Sequence, residues 1–570
     1  MSDALRLDDQ QAHVALAAIG ARLVVIAGPG AGKTEVVGAR CRHLVDSEQA
    51  YPEEILLISF SNAAVDVVRR RTVDVVDQGQ GVDVCTIDSL AQRIRGELDP
   101  DDGFTGYDAA IRNATALLLT ADGPVFPDVR HVVVDEVQDV VGDRARLVLQ
   151  LLRTGVAPGT GFTLLGDPMQ ALYDFQLSDD DPMTSTTLLE RVRAEFHAED
   201  VVLPGQYRAQ TDDARRASDV RADLSGVRGP LQLTRIRGVE SALSPLGPLD
   251  DNAAQIVEKW TGTTALLCDT NARAVLTADR LAAYDVPTDL VPRATDDAVD
   301  PWVGRCLSDV PAGRIARDDF LARLTAAGVP HAEEWWLRCL LFTGDPSDLD
   351  LRRLAMALAR PNRDFRRAAE HHVRISTVHR AKGLEFENVV LVDPWKWRDD
   401  AESTLSRQLF VALSRARRRV TTMDGVDTAS WRKDPSMRMW ANRGWKGRRG
   451  GLYGVVIEPH HLVTEPLTAE QFADVAAQPV VWSDPEEVLT VDRAIIPRWT
   501  ALVGGVTIGA TADDFGTAVA TARYKSAWPL LRGGRVEGCE TVARPEDNRY
   551  GPHGIALGAR VVGHVATDWS

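Results

Sequence analysis

Ala27-Gly28-Pro29-Gly30-Ala31-Gly32-Lys33-Thr34 constrains the fold of this chain more than any other segment. It follows an apolar run, Leu23-Val24-Val25-Ile26, and precedes a helical pattern. Small residues in that position let backbone N–H groups and the positive end of a helix wrap an anion. Gly28, Gly30 and Gly32 supply the close approach. Lys33 is placed to neutralise the β- and γ-phosphates of a nucleotide, and the Thr34 hydroxyl to hold Mg²⁺. A glycine-rich structural turn is the alternative, but strand, loop, Lys-Thr and helix all agree on a phosphate loop.

Further apolar runs, Ile55-Leu56-Leu57-Ile58, Val132-Val133-Val134 and Phe162-Thr163-Leu164-Leu165, suit central strands covered by helices on both faces. The pattern predicts a doubly wound α/β domain, and it recurs around Ala265-Leu266-Leu267 and Val389-Val390-Leu391-Val392. A helix is expected after the last of these runs, from about Leu405 to Arg419. Val134 leads into Asp135-Glu136-Val137-Gln138-Asp139. Adjacent acids at a strand end direct one carboxylate, Asp135, toward the Mg²⁺ shell and the next, Glu136, toward an attacking water as general base. With a phosphate loop upstream, this pair implies NTP hydrolysis.

The chain has 570 residues and a formal charge of −17, which excludes a uniformly cationic nucleic-acid coat but not a narrow basic track. Six scattered cysteines without a CxxC pair argue against a disulfide framework or zinc ribbon and fit a reducing cytoplasm. No uninterrupted apolar window approaches the roughly 18 residues of a membrane span.

In order along residues 5–420, further blocks resemble the UvrD/Rep/PcrA group of superfamily I DNA helicases. They are Leu7 with Gln11, Ile58-Ser59-Phe60-Ser61-Asn62, Thr86-Ile87-Asp88-Ser89-Leu90, Gly166 to Phe175, Gln206-Tyr207-Arg208, Thr377 to Phe386, and Val411 to Arg417. The resemblance implies two RecA-like doubly wound parallel-sheet P-loop domains; outside it, beyond Asp424, Gly, Pro and short runs such as Tyr453 to Ile457 suggest a small β-rich C-terminal domain of unknown role. Domains are expected at 1–200 (short insertion at about 98–130), 201–425 (helical insertion at about 294–370) and 426–570. It implies that Gln11 reads adenine, that Tyr207 stacks on it, and that Arg40 and Glu385 belong to the nucleotide side. Gln170 would sense the γ-phosphate, and Arg208 with the arginine finger Arg415 would complete catalysis. Single-stranded or tailed DNA would contact Phe60, Asn62, Thr86, Tyr173, Phe175 and His379. For Arg415 the bland alternative is a solvated basic helix face; for His379, a structural histidine.

Departures from the family pattern are Glu35, Ala63 and Asp88, where relatives commonly carry Arg, Lys and His. Hydrolysis should survive these changes; DNA contact should weaken. The basic, tryptophan-bearing stretch from Trp431 to Arg449 reads as a linker suited to nucleic acid, or as one docking on the acidic body. The expectation is a cytoplasmic ATP-dependent single-stranded DNA translocase or helicase, moving 3′ to 5′ by family analogy. The rival is a nucleotide-gated DNA-binding module that loads or regulates a protein partner, such as a nuclease or a repair or defence factor, without unwinding. An RNA-directed motor is a third reading.

Overall fold

The computed structural model describes residues 7–59, 82–99, 106–172, 177, 181–224, 230–291, 298–311, 313–343, 347–359, 365–398, 402–434, 439–443, 452–476, 478–522 and 527–569. The chain forms two compact units, Met1–Pro245 with Ala381–Thr422, and Leu246–Arg380 with Met423–Ser570. Among the described residues, no helix is long and apolar enough to cross a membrane.

The first unit holds a six-stranded sheet of β1 (Arg22–Ala27), β2 (Ile55–Ser59), β3 (Asp83–Thr86), β4 (His131–Asp135), β5 (Gly161–Gly166) and β6 (Glu199–Leu203). Their order is β3-β2-β4-β5-β1-β6, and every neighbouring pair is parallel. The apolar runs are unbroken because both faces are covered. Val24, Leu56, Ile58, Val132, Val134 and Leu164 enter one buried cluster. Leu23, Val25, Leu57, Val133 and Leu165 enter the other. That alternation is the two-residue period of a strand, and each such side chain contributes about 1.5–3 kcal/mol on burial. β1 lies between β5 and β6, so the loop after it leaves the sheet where the strand order reverses, the usual ligand position in such folds. Helix α1 (Asp9–Leu16) precedes β1, and α2 (Lys33–Asp46) follows the loop.

The unit also contains the helix Glu402–Leu413 and the strand beginning at Ala416. The helix expected to reach Arg419 therefore stops six residues earlier. β-Branched Val420, Thr421 and Thr422 belong to the strand and are buried there, while Arg418 and Arg419 point outward. A basic helix face does not exist here.

In the second unit, Val373–Thr377 pairs in parallel with Thr264–Cys268 and with Asp289–Leu290. The segment read as a helical insertion forms helices Pro301–Leu307, Arg317–Ala326, Ala332–Thr343 and Leu351–Leu358. Trp302, Trp335, Trp336, Phe320 and Phe365 pack together at their centre.

Beyond lies a nine-stranded, β-rich C-terminal sheet, dominated by the antiparallel strands Leu530–Ala543 and Ile555–Asp568. The described part of the supposed basic linker is two strands of this sheet, Trp431–Asp434 and Met439–Arg443. Trp431 is buried against Val456, Ala272 and Val275, with its ring edge-on to His564. It is a core residue and no stacking platform.

Candidate nucleotide site

The loop after β1 carries its glycines where the backbone requires them. Gly30 and Gly32 have φ of 75° and 81°. A Cβ at Gly30 would meet Gln206 Oε1 and Arg208 Cβ, and one at Gly32 would lie 2.6 Å from Gln11 Nε2. Gly32 is also the N-cap of α2, and no side chain caps that helix. Its first-turn N–H groups thus remain available to an anion. Lys33 Nζ donates to the carbonyls of Ala27 and Gly28 at 3.1 and 3.5 Å, so the ammonium lies folded over the loop. Thr34 follows it on the first turn of α2.

Two segments brace this loop. Gln11 on α1 donates to the Ala31 carbonyl at 3.0 Å, and Asp8 caps α1 through a reciprocal box with Gln11. Gln206 Nε2 donates to the Pro29 carbonyl at 2.8 Å, while Tyr207 N donates to Gly30 O at 2.8 Å. The Tyr207 hydroxyl donates to Asp8 Oδ2 at 2.6 Å, leaving the ring 57% exposed beside Gln11 and the loop. That ring is free to receive a planar base.

Asp135 ends β4, and Glu136 takes a left-handed conformation, φ 54°. Burial, then the neighbouring Glu136 charge, raises the Asp135 pKa. Burial works the same way on Glu136, but the Lys33 and Lys382 ammonium groups outweigh it and hold that carboxylate ionised. The environments thus push two adjacent acids apart, Asp135 up and Glu136 down, and a cation beside Asp135 would favour its ionised form. The pair, the uncapped helix and Lys33 fit a magnesium–triphosphate, with Thr34 and Asp135 as the metal-side residues.

From Glu136 a line of hydrogen bonds runs inward, passing once through the Asp167 backbone N–H. Gln138 Nε2 donates to Glu136 Oε2, and Gln138 Oε1 accepts from Asp167 N at 2.9 Å. Gln170 Nε2 donates to Asp167 Oδ2 at 3.0 Å, and Arg415 Nη2 donates to Gln170 Oε1 at 2.7 Å. Lys382 Nζ binds both Asp139 and the Gln170 carbonyl. Burial raises Asp139 to about 7 despite Lys382. Arg415 is buried, and desolvation followed by repulsion from Arg208 lowers its pKa to about 9, so it stays cationic at neutral pH.

Arg208 Nη2 donates to Glu385 Oε1 at 2.6 Å and Nη1 to the Ser414 carbonyl at 2.9 Å; its buried Nε has no partner among the described residues. Glu385 also accepts from Arg417, at 3.1 and 2.8 Å. Despite burial, the Arg208 charge and then the Arg417 bond bring Glu385 down to about 2.

Gln11, the loop residues, Asp135, Glu136, Gln170, Tyr207, Arg208, Glu385 and Arg415 therefore share one compact unit. Arg40 needs correction. It is 1% exposed, and its guanidinium donates to the carbonyls of Val14, Ala17 and Ala18 and to His131 Nε2, at 2.9–3.1 Å. It secures the C-terminal end of α1 and has no fork left for a nucleotide.

On the DNA side, Thr86 is buried and caps the helix Ile87–Leu98 through Ser89 N, while Asp88 pairs with Arg144 at 3.0 Å. His379 is half-buried in the second unit. Phe60, Asn62, Ala63, Tyr173 and Phe175 lie outside the described residues.

Four further residues belong to the site without having been singled out. Gln138, Asp167 and Gln206 sit inside the quoted motifs, as polar side chains at strand ends beside the predicted residues. Arg221 Nε reaches Asp167 Oδ1 at 3.2 Å, and its Cδ would lie 2.9 Å from a Cβ at Gly28. It stands in a helix, Asp212–Leu224, and in no motif.

Comparison with known proteins matches the two stretches that carry this geometry. Residues 7–102 match the UvrD/REP helicase N-terminal domain, and residues 372–422 the UvrD-like helicase C-terminal domain. Over 79 residues, 14% of the chain and 7% of the relative, it is 34% identical to the ATP-dependent DNA helicase SRS2 of Saccharomyces cerevisiae. Over 74 residues, 13% of the chain and 10% of the relative, it is 38% identical to the ATP-dependent DNA helicase PcrA of Leuconostoc citreum. The chain thus aligns with a tenth or less of either relative's length. The two domain matches contain the phosphate loop and the buried Arg415, in the order in which UvrD-like helicases carry their N- and C-terminal domains, and over these stretches the chain is similar to that family.

Proposed function

We propose that the chain is an ATP hydrolase that couples hydrolysis to movement along single-stranded DNA, in the 3′ to 5′ direction. The observation that carries this reading is the buried line Glu136–Gln138–Asp167–Gln170–Arg415. It joins the candidate general base to the candidate arginine finger, so a change at either end is felt at the other. In this reading the loop N–H groups and Lys33 bind the phosphates, and Tyr207 with Gln11 the base. Thr34 and Asp135 would hold Mg²⁺, which supplies charge neutralisation on the phosphate oxygens. Glu136 orients a water and takes its proton at a carboxylate oxygen. Arg208 and Arg415 stabilise charge spreading on the transferred phosphoryl group, an effect that contributes about 10³–10⁵ in rate in related systems.

Single-stranded DNA should stimulate ATP hydrolysis by the purified chain, and Lys33→Ala or Glu136→Gln should abolish it. An unstimulated, DNA-indifferent ATPase would overturn the motor. Duplexes with 3′ or 5′ tails test direction, and RNA tails of equal length test the choice of nucleic acid. Binding should weaken steeply with salt, since a narrow basic track on an acidic body works by counterion release.

One observation favours the rival module that needs a protein partner to separate strands. Asp88, where relatives carry a basic contact, is held by Arg144. DNA-stimulated hydrolysis without strand separation would support that reading; unwinding by the chain alone would remove it.

A further inference from the structure

Arg380 stands inside the Thr377–Phe386 block, and its guanidinium is engaged within the second unit. Its Nη2 forms an ion pair with Glu458 Oε1 at 3.0 Å, and its Nη1 donates to the Val291 carbonyl at 3.1 Å. The two charged side chains are only 15% and 8% exposed. Glu458 belongs to the C-terminal sheet, for which the motor reading gives no role. It follows the strand Leu452–Ile457 and opens the turn Pro459–His461.

That turn is rigidly held. Glu458 N donates to His461 Nδ1 at 3.1 Å, His461 N to the Glu458 carbonyl at 2.9 Å, and Ala512 N to the His461 carbonyl at 2.9 Å. The His461 ring packs on His460 and Phe515, with centroids 3.9 and 5.7 Å away. The sheet behind it is anchored to the α/β part of the same unit. His564 N donates to Asp279 Oδ2 at 2.7 Å, Leu290 N to Glu537 Oε1 at 3.0 Å, and Thr541 N to the Val299 carbonyl at 3.0 Å.

We propose that the C-terminal sheet sets the conformation of the Thr377–Phe386 loop, with Glu458 as a positioning residue acting through Arg380. A buried carboxylate fixes one orientation of a guanidinium fork, and that orientation fixes the chain at residue 380. The next residues are the ones the nucleotide site uses: Lys382, bound to Asp139 and the Gln170 carbonyl, and Glu385, bound to Arg208. Coupling therefore travels along the backbone from the buried Glu458 carboxylate. The consequence for turnover rests on the motor reading; the consequence for the loop does not.

The test uses the full chain with Glu458→Ala, and Glu458→Gln, which keeps the shape and one hydrogen bond to Arg380. Amide hydrogen exchange over residues 377–386 should speed up in Glu458→Ala while the rest of the unit keeps its protection. DNA-stimulated kcat should fall roughly fivefold or more, the lower end of ordinary coupling between sites. Glu458→Gln should keep more of that rate than Glu458→Ala. Exchanging the charges, Arg380→Glu with Glu458→Arg, should recover part of the stimulation. Wild-type exchange over 377–386 in folded Glu458→Ala, or wild-type stimulation in both single variants, overturns the proposal. A wild-type chain whose hydrolysis ignores DNA removes the motor reading instead, and the exchange measurement still decides the role of Glu458.

Discussion

Glu136 holds a left-handed backbone that a residue with a Cβ adopts at a cost of about 1–3 kcal/mol, and Gln138 pins its carboxylate. Glu136→Gln keeps the shape and removes the proposed base. Hydrolysis should fall about 10²–10⁴-fold while ATP binding persists, which single-turnover rates with a fluorescent nucleotide would separate. Gln138→Ala should give a smaller loss of kcat with the same sign; wild-type turnover in that variant would contradict the buried line.

Glu385 offers a pH signature. Its folded pKa, about 2, lies below the ordinary 4.5 because Arg208 and Arg417 prevail over burial. A depressed acid stabilises the fold above its unfolded pKa and loses that contribution as pH falls toward the folded value. The difference in urea midpoint between the wild type and Glu385→Gln should be full above about 4.5 and shrink toward pH 2. A difference constant across that window would show that the carboxylate is not held this way.

At the scale of elements, the central strands and the loop between β1 and α2 were legible because each is local: unbroken apolar runs, then small residues, then a helical period. The arginine run was legible as important but not in shape. Arg417 to Arg419 look helical beside Leu409 to Leu413, and only the sheet that takes up Val420, Thr421 and Thr422 decides for a strand. Arg221 could not be found at all, since a helix brings it to Asp167 from 54 positions away in the chain.

Arg40 shows the same limit from the other side. The family resemblance assigns it to the nucleotide side, yet it clamps α2 to the end of α1. Burial, and next the Arg40 charge, lowers His131 to about 3. The imidazole is therefore neutral, donating from Nδ1 to the Ile19 carbonyl at 2.7 Å and accepting from Arg40 Nε. Arg40→Lys cannot reproduce the fork and leaves carbonyls at the end of α1 without donors. At about 1–3 kcal/mol per stranded buried group, unfolding should be easier by roughly 3–5 kcal/mol, measured by urea denaturation. A change below about 1 kcal/mol would mean that α1 is held mainly by other contacts.

At the scale of the whole molecule, the question is whether the C-terminal sheet is an appendage. The core says otherwise. Ile555 packs into the aromatic cluster of Trp302, Phe320, Trp336 and Phe365, and Trp431 and Val456 share a cluster with Ala272, Val275 and Leu276 of the helix Asn271–Ala282. Gly304 could not carry a Cβ, which would lie 2.8 Å from the Ala556 carbonyl, and its N–H donates to Thr541 Oγ1 at 2.8 Å. A chain ending at Asp424 would leave the faces of Trp302 and Ala272 open to water and strand the Gly304 N–H. Each large apolar side chain uncovered forfeits about 1.5–3 kcal/mol, against a typical total stability of about 5–15. The truncated chain should therefore aggregate or lose near-ultraviolet dichroism, instead of giving a smaller active motor. A soluble 1–424 fragment with wild-type hydrolysis on single-stranded DNA would refute that and would free the sheet from both folding and coupling. If only the fold fails, while full-length Glu458 variants keep their DNA response, the sheet is a structural support and nothing more.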